Sequence, residues 1–302
     1  MSSLALIIPT KDRPGDIRTL LENLSSQSRC PDTVIVVDAS AKPQPELSFE
    51  FPELNIDYHL FKGQPSAAGQ RNAGLAYVGE EVEIIGFVDD DIVFEKDAMQ
   101  VMMGFWDSDN KDVCGAAFNL SESEVSPKGI FKHSRIAEWL GLYRTQPGTV
   151  AKSGWHSRLG EAKDRIEVEW LISGASFWRR EVLEKHQFDP FFQGYSYLED
   201  LDFSYGVSRN CRLMVVADAR FEHHHHHQSL DTQWYRDFGR MEVRNRLYFV
   251  RKYGLSVWRC YLGLSIRFFQ TLLQVLKPGN KILLSRARGN LAGFMDSIKG
   301  GT

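Results

Sequence analysis

The chain has 302 residues, 43% of them hydrophobic and 25% charged, with 36 Lys and Arg against 39 Asp and Glu for a net charge of −3. That balance excludes collagen-like, disordered and coiled-coil classes, and the length suffices for one large or two medium domains with a well-buried core. The four cysteines, Cys30, Cys114, Cys211 and Cys260, lie far apart and form no CxxC, which argues against a disulfide framework or a zinc ribbon and makes a reducing compartment the expectation.

The opening MSSLALIIPTKDR has no basic stretch followed by an apolar one, so no signal peptide and a cytoplasmic location are expected. Residues 4–9 are a short apolar run ended by Pro and predict a buried strand. Over 13–28, Ile17, Leu20, Leu21 and Leu24 recur at helical spacing. A β-branched run at 33–38 predicts a second strand and 56–61 a third. An Ala-rich helix is expected over 66–77, a strand over 83–88 that runs straight into Asp89, Asp90 and Asp91, and a helix over 98–106. From 119 to 167 the pattern weakens into turn-rich sequence read as loops. Structure resumes over 168–178, followed by helices at 180–185 and 199–209 and a strand at 212–217. Beyond five consecutive histidines, 223–227, the chain reads as helical.

Strands alternating with helices imply an α/β domain with a mostly parallel sheet. Ligands of such sheets sit beyond the carboxyl ends of the strands. Two strands end in carboxylates, one at Asp38 and one at Asp89 to Asp91, so both point into one crevice. No GxGxxG follows the first strand, which disfavours a dehydrogenase-type dinucleotide fold.

The charge is unevenly spread. From residue 228 onward there are 13 Lys and Arg and 4 Asp and Glu, a net of +9, while the remainder carries −12. Within that tail Arg259, Gly263, Arg267, Gln270 and Gln274 fall on one helix face. They leave a wide face of Trp258, Leu262, Ile266, Phe269, Leu273 and Leu276. Two arginines inside the stretch argue against a spanning helix. An interfacial helix on an anionic membrane surface, or a helix packed on its own core, both fit.

Adjacent carboxylates repel, and a cation relieves them. In an extended segment Asp89 and Asp91 point to one side and Asp90 to the other, so one hard ion, Mg²⁺ or Mn²⁺, suits the pair; a solvated acidic turn is the plain alternative. Asp38 suits a turn as well as a site. In 199–202 (EDLD), Ser196 and Glu199 have the spacing of a capping box, which leaves Asp200 as a candidate general base among Phe191, Phe192, Tyr195 and Tyr197. The histidine run reads as a tag, a solvated loop, or a source of one or two metal ligands. Arg71 lies on an exposed helix face or beside a diphosphate, which a guanidinium grips as a fork.

In order, IIPTKDR, VIVVDAS, GQRNAG, FVDDDI, WLISGASFWRREVL, FDPFFQGYSYLEDLDFS, the histidines and RNRLYFVRKYG resemble glycosyltransferase family 2, and most of all its bacterial rhamnosyl- and galactofuranosyl-type surface-polysaccharide enzymes. The resemblance implies an inverting, metal-dependent enzyme of GT-A fold, a Rossmann-like mixed sheet flanked by helices. The catalytic domain would span 1–227, with a nucleotide-binding half at 1–118 and an acceptor-binding half at 119–227, and a basic helical tail would occupy 228–302. It further implies that Pro9, Thr10 and Arg13 line the nucleotide pocket, that Asp38 bonds uracil or thymine, and that Asp90 touches the ribose. Asp89 and Asp91 would be the metal-binding DxD pair with His223 as third ligand. Arg71 would lie near the diphosphate, Trp170 and Gly174 would flank the sugar and acceptor, Glu199 would belong to the donor site, and Asp200 would be the base. Two departures stand out: Ala39 replaces the acid or Asn that often follows the strand-end Asp, and the histidine run is longer than usual. The implied donor is UDP- or dTDP-linked and the acceptor a saccharide or lipid-linked saccharide. No nucleic-acid partner is expected, and a homo-oligomer stays open. A non-catalytic nucleotide-sugar-binding subunit and a metal-dependent nucleotidyltransferase or phosphohydrolase are the competing readings.

Overall fold

All seven residues of Leu4–Thr10 are buried, and they form strand β1 in the computed structural model of the chain, which describes residues 2–108, 110–121, 135–224, 231–277 and 280–299. The other strands are β2 (Thr33–Asp38), β3 (Ile56–Leu60), β4 (Ile84–Val88), β5 (Ile92–Phe94), β6 (Val113–Leu120), β7 (Ile166–Val168), β8 (Ala175–Arg179) and β9 (Arg212–His223). The helices are α1 (Pro14–Ser25), α2 (Leu47–Glu50), α3 (Ala67–Leu75), α4 (Ala98–Asp107), α5 (Arg135–Trp139), α6 (Arg180–Leu183), α7 (Glu199–Ser208), α8 (Thr232–Lys252), α9 (Val257–Val275) and α10 (Leu283–Lys299). The chain divides into two compact units, 1–125 with 159–226, and 126–158 with 227–302.

In the first unit the strands form one sheet in the order β3-β2-β1-β4-β8-β6-β9-β5, with β7 also on β9. β1 lies parallel to β2 and β4, β2 to β3, and β6 to β9, whereas β8 runs antiparallel between β4 and β6. The sheet is therefore mixed, as the GT-A expectation requires. Period-2 alternation sends Leu4, Leu6 and Ile8 to one apolar layer, with α1 and α4, and Ala5 and Ile7 to the other, with Phe188 and Phe203. Because β1, β2 and β4 are parallel, their carboxyl ends share one edge, and Thr10, Asp38 and Asp89 all arrive there.

Two expectations change. The 119–167 region is not loop throughout: β6 reaches Leu120, α5 covers Arg135–Trp139, and β7 begins at Ile166. Cys114 and Cys211 form a disulfide across a sequence separation of 97, contrary to the reading from cysteine spacing. The parallel register Val113↔Arg212 brings the two strand starts together, a proximity that sequence distance hides.

The second unit is helical. α10 packs along α8 through glycines: a Cβ on Gly239 would strike the carbonyl oxygen of Arg286, and one on Gly289 that of Arg236. Arg246, buried on α8, donates to the Gly154 carbonyl at 2.6 Å and lies 4.5 Å from the Trp155 ring centroid. On α9 the buried residues are Cys260, Gly263, Leu264 and Thr271, while Trp258 is 58% exposed, Phe269 61%, Leu273 65% and Leu276 80%.

Candidate active site

Four residues at the sheet edge set the frame. The buried Gln70 amide on α3 donates to the carbonyls of Thr10 (2.9 Å) and Val37 (2.8 Å), tying the ends of β1 and β2 together. Pro9 is buried in β1 opposite Val37. Thr10 donates its hydroxyl to Asp90 at 2.7 Å. Asp38 accepts from the Ser40 amide at 2.7 Å and from the Tyr58 hydroxyl; burial first and then Asp38 raise the Tyr58 pKa. Thr10, Arg13, Asp38, Ser40, Lys42 and Tyr58 line one pocket beyond the strand ends. Thr10, Arg13 and Asp38, separated in sequence, are thus brought together as expected. Tyr58 and Gln70 were not legible, because each acts through a contact with a distant strand.

The aspartate triplet differs from the extended reading. β4 ends at Val88 and the chain turns at once, so side chains no longer alternate. Asp90 and Asp91 share one cation, Arg13, at 3.0 and 2.8 Å, while Asp89 turns to Arg71 at 2.6 Å. Burial pushes the Asp90 carboxyl up to about 6, against Thr10 and Arg13. For Asp91 burial is outweighed by His223 and Arg13, which hold it below its ordinary value. Conversely, burial opposes the His223 imidazolium, but Asp91 raises its pKa overall.

His223, the last residue of β9, pairs with Ile92 in the ladder. Its Nε2 stands 3.0 Å from Asp91 Oδ1, and the His224 amide donates to the Asp91 carbonyl at 2.9 Å. Strand pairing therefore holds the first histidine of the run against the triplet, while 225–227 lie outside the described residues. The expected trio Asp89, Asp91 and His223 is brought together only in part, and among the described residues no group of three His, Cys, Asp or Glu side chains is gathered for a metal ion. The Asp91 carboxylate and the His223 imidazole, in direct contact at 3.0 Å, are nevertheless donor types that suit a divalent cation whose shell is completed by substrate phosphates and water.

Arg71 is 2% exposed. Its two terminal nitrogens donate to Asp89 and to Glu199, the latter at 2.7 Å, and its guanidinium lies 5.3 Å from the Phe188 ring centroid. The exposed helix face is not what is found: Arg71 is an internal cation linking the end of β4 to the start of α7. Asn72 beside it exchanges two hydrogen bonds with the Phe188 backbone, at 2.8 and 3.0 Å. Gly174 donates no side chain but position: its carbonyl accepts from the Asp89 amide at 2.8 Å, and a Cβ there would collide with the Asp89 carboxylate. Trp170 is buried in the same loop, and the Leu171 amide donates to Ser204 Oγ on α7 at 3.0 Å.

The capping box is not formed. The residue ahead of α7 is Leu198, with φ +76°, and no side chain caps the helix; Ser196, with φ +54°, turns its hydroxyl to the Phe192 and Gly194 carbonyls. Glu199 is spent on Arg71 instead. Burial pushes Glu199 up to about 7 against that pairing. Asp200 is also raised, first by burial, and accepts from the Leu201 amide at 2.7 Å. A carboxylate whose pKa lies above its ordinary value is suited to removing a proton.

The sequence matches the model of glycosyl transferase family 2 over residues 5–186. No curated protein sequence matches it significantly. Among solved structures, S. aureus TarS 1-349 is 16% identical, with 98% of this chain and 81% of that one covered at a TM-score of 0.58. The mannosyltransferase PcManGT from Pyrobaculum calidifontis, in complex with GDP-Man and Mn²⁺, is 13% identical over 97% and 87% at 0.55. Against the longer TarS structure the chain covers only 39% of that protein, at 16% identity and a TM-score of 0.50. At these identities the likeness is one of fold.

Proposed function

The chain belongs to glycosyl transferase family 2, and from that premise we propose that it moves a sugar from a nucleoside-diphosphate-sugar onto a hydroxyl group, with inversion at the anomeric carbon. The observation that carries this reading is the single strand-end edge that joins a pocket lined by Thr10, Arg13, Asp38 and Tyr58 to the Asp89–Asp91 turn. In this reading Asp38 accepts the N3–H of uracil or thymine, Asp90 takes the ribose, and Arg13 faces the phosphates. Arg71 acts as an orienting residue, because both ends of its guanidinium are already committed; Glu199 serves the donor site through it.

Asp200 takes the proton of the acceptor hydroxyl. The freed oxygen forms a bond to the anomeric carbon as the bond from that carbon to the diphosphate oxygen breaks, and the electron pair leaves with the nucleoside diphosphate. Trp170 and Gly174 bound the space for sugar and acceptor. Asp91 and His223 would hold Mn²⁺ or Mg²⁺, which when bound offsets charge growing on the leaving diphosphate. The acceptor we assign is a saccharide or lipid-linked saccharide, in surface-polysaccharide or glycolipid synthesis. The catalytic functions fall within 1–227.

The test is incubation of the purified chain with UDP-, dTDP- and GDP-sugars, with Mn²⁺ or with a chelator. Release of nucleoside diphosphate together with an inverted sugar product, lost on chelation, is expected. Pyrophosphate as product would point to a nucleotidyltransferase, and binding of donor without turnover to a regulatory subunit.

A further inference from the structure

A helix bundle in water buries its large apolar side chains and shows its polar ones. In the unit formed by 126–158 and 227–302, α8 does so with Val243, Leu247, Phe249 and Val250, whereas α9 and α10 do not. α9 turns Cys260, Gly263, Leu264 and Thr271 inward and sets Arg267 against the buried Glu242 at 3.7 Å. Trp258, Leu262, Phe269, Leu273 and Leu276 stay outside. Their spacing of four, seven, four and three places them on one stripe, about 27 Å long at the helical rise. α10 repeats the arrangement: Ser285, Ala287, Gly289, Asn290 and Gly293 are buried, while Leu284, Leu291, Met295 and Ile298 are exposed. Close backbone approach through glycine, with the large side chains turned outward, is the packing helices use where the surroundings are apolar.

The charge says which apolar surroundings. α9 contains no Asp or Glu, and the chain from 228 onward carries a net +9. Exposed Lys277 and Lys281 follow the stripe, and exposed Arg288 and Lys299 accompany the apolar residues of α10. A second copy would meet these helices with the same positive charge, whereas anionic headgroups complement it. None of the described helices is long and apolar enough to cross a membrane. We infer that α9 and α10 dock on an anionic lipid bilayer, lying in its plane with the outward apolar residues at the headgroup–acyl boundary and the lysines among the headgroups. This inference is independent of the sugar-transfer reading.

The experiment uses the full chain and sedimentation with phosphatidylcholine vesicles, with and without phosphatidylglycerol, at low and high salt. Binding is expected to the anionic vesicles and to weaken with salt. The double variant Phe269→Ser/Leu273→Ser should lower the partition coefficient by about tenfold or more, and Lys277→Glu/Lys281→Glu should lower it on anionic vesicles only. Both should keep the wild-type circular dichroism and melting temperature, because the replaced side chains are exposed; should the first double variant melt early, Leu276→Asp at the helix end replaces it. Wild-type protein left in the supernatant with every vesicle overturns the inference. So does vesicle binding that the apolar variants leave intact, or a dimer in sedimentation velocity that they dissociate while no vesicle binds.

Discussion

Asp90, Glu199 and Asp200 hold protons more tightly in the folded chain than in the unfolded one, because burial penalises their charged forms. For Glu199 the native state keeps its proton from the ordinary 4.5 up to about 7, so stability falls as pH rises through that window. His223 acts in the same sense: its raised pKa adds stability at low pH that is lost as pH rises through the folded value. Asp91, lowered, adds stability above its ordinary value that is lost only as pH falls through the lowered one. Ligand-free protein should therefore lose stability between pH about 4.5 and about 7, and Glu199→Gln should remove on the order of 3 kcal/mol of that loss, read from urea midpoints across the range. Asp200→Asn should leave donor affinity intact and slow transfer by at least about 100-fold; collapse of donor binding with brisk residual transfer would make Asp200 structural. At Gly174 the added methyl of Gly174→Ala would displace the Asp89 carboxylate, so donor turnover should fall while Gly104→Ala on α4, with open space around it and no left-handed backbone, leaves turnover unchanged.

At the scale of elements, β9 decides where His223 stands, and β9 is bulged. Its pairing with β6 jumps from Phe118↔Val216 to Asn119↔Arg220. The buried Asn119 side chain closes the gap: it donates to the carbonyls of Ala162 and Ala217 at 2.8 Å each and accepts from the Ala162 amide at 2.9 Å. Asn119→Ala should cost about 2–3 kcal/mol in chemical denaturation, since it leaves buried backbone groups unpaired. An unchanged denaturation midpoint would show that the bulge holds itself. This is also where legibility in the sequence ended. α1 announced itself by helical spacing, β1 by its apolar run and β2 by its β-branched run, β4, α4 and α7 were expected near where they lie, and Asp38 and the triplet stood out by following apolar strands. β6, VCGAAFNL, has no β-branched run; its glycine is required by the Trp178 ring, against which a Cβ at Gly115 would press, a tertiary demand no local pattern carries. The start of α7 misled for a related reason. Ser196 and Glu199 have capping-box spacing, but the left-handed turn at Leu198 separates them and the buried Arg71, distant in sequence, claims the carboxylate.

For the molecule as a whole, the Cys114–Cys211 bridge closes a loop that contains β7, β8 and nearly all of β6. Cys114→Ser should lower stability by about 2–4 kcal/mol, and dithiothreitol on the unaltered chain should reproduce the loss; a reductant-insensitive melting curve would leave the bridge without a stabilising role. One further consequence belongs to the antiparallel strand β8. Its five-residue register with β4 ends at Val88↔Ala175, and the next backbone hydrogen bond joins Asp89 to Gly174. The spacing between the aspartate turn and the Trp170–Gly174 loop is thus set by strand register and not by the chain that connects β6 to β8. Under the sugar-transfer reading, changes of length ahead of Ala162, before the contacts of Ala162 with Asn119 and of β7 with β9, leave the spacing of Asp89 and Gly174 unaltered, so diversity in the acceptor is expected to accumulate there as insertions and deletions.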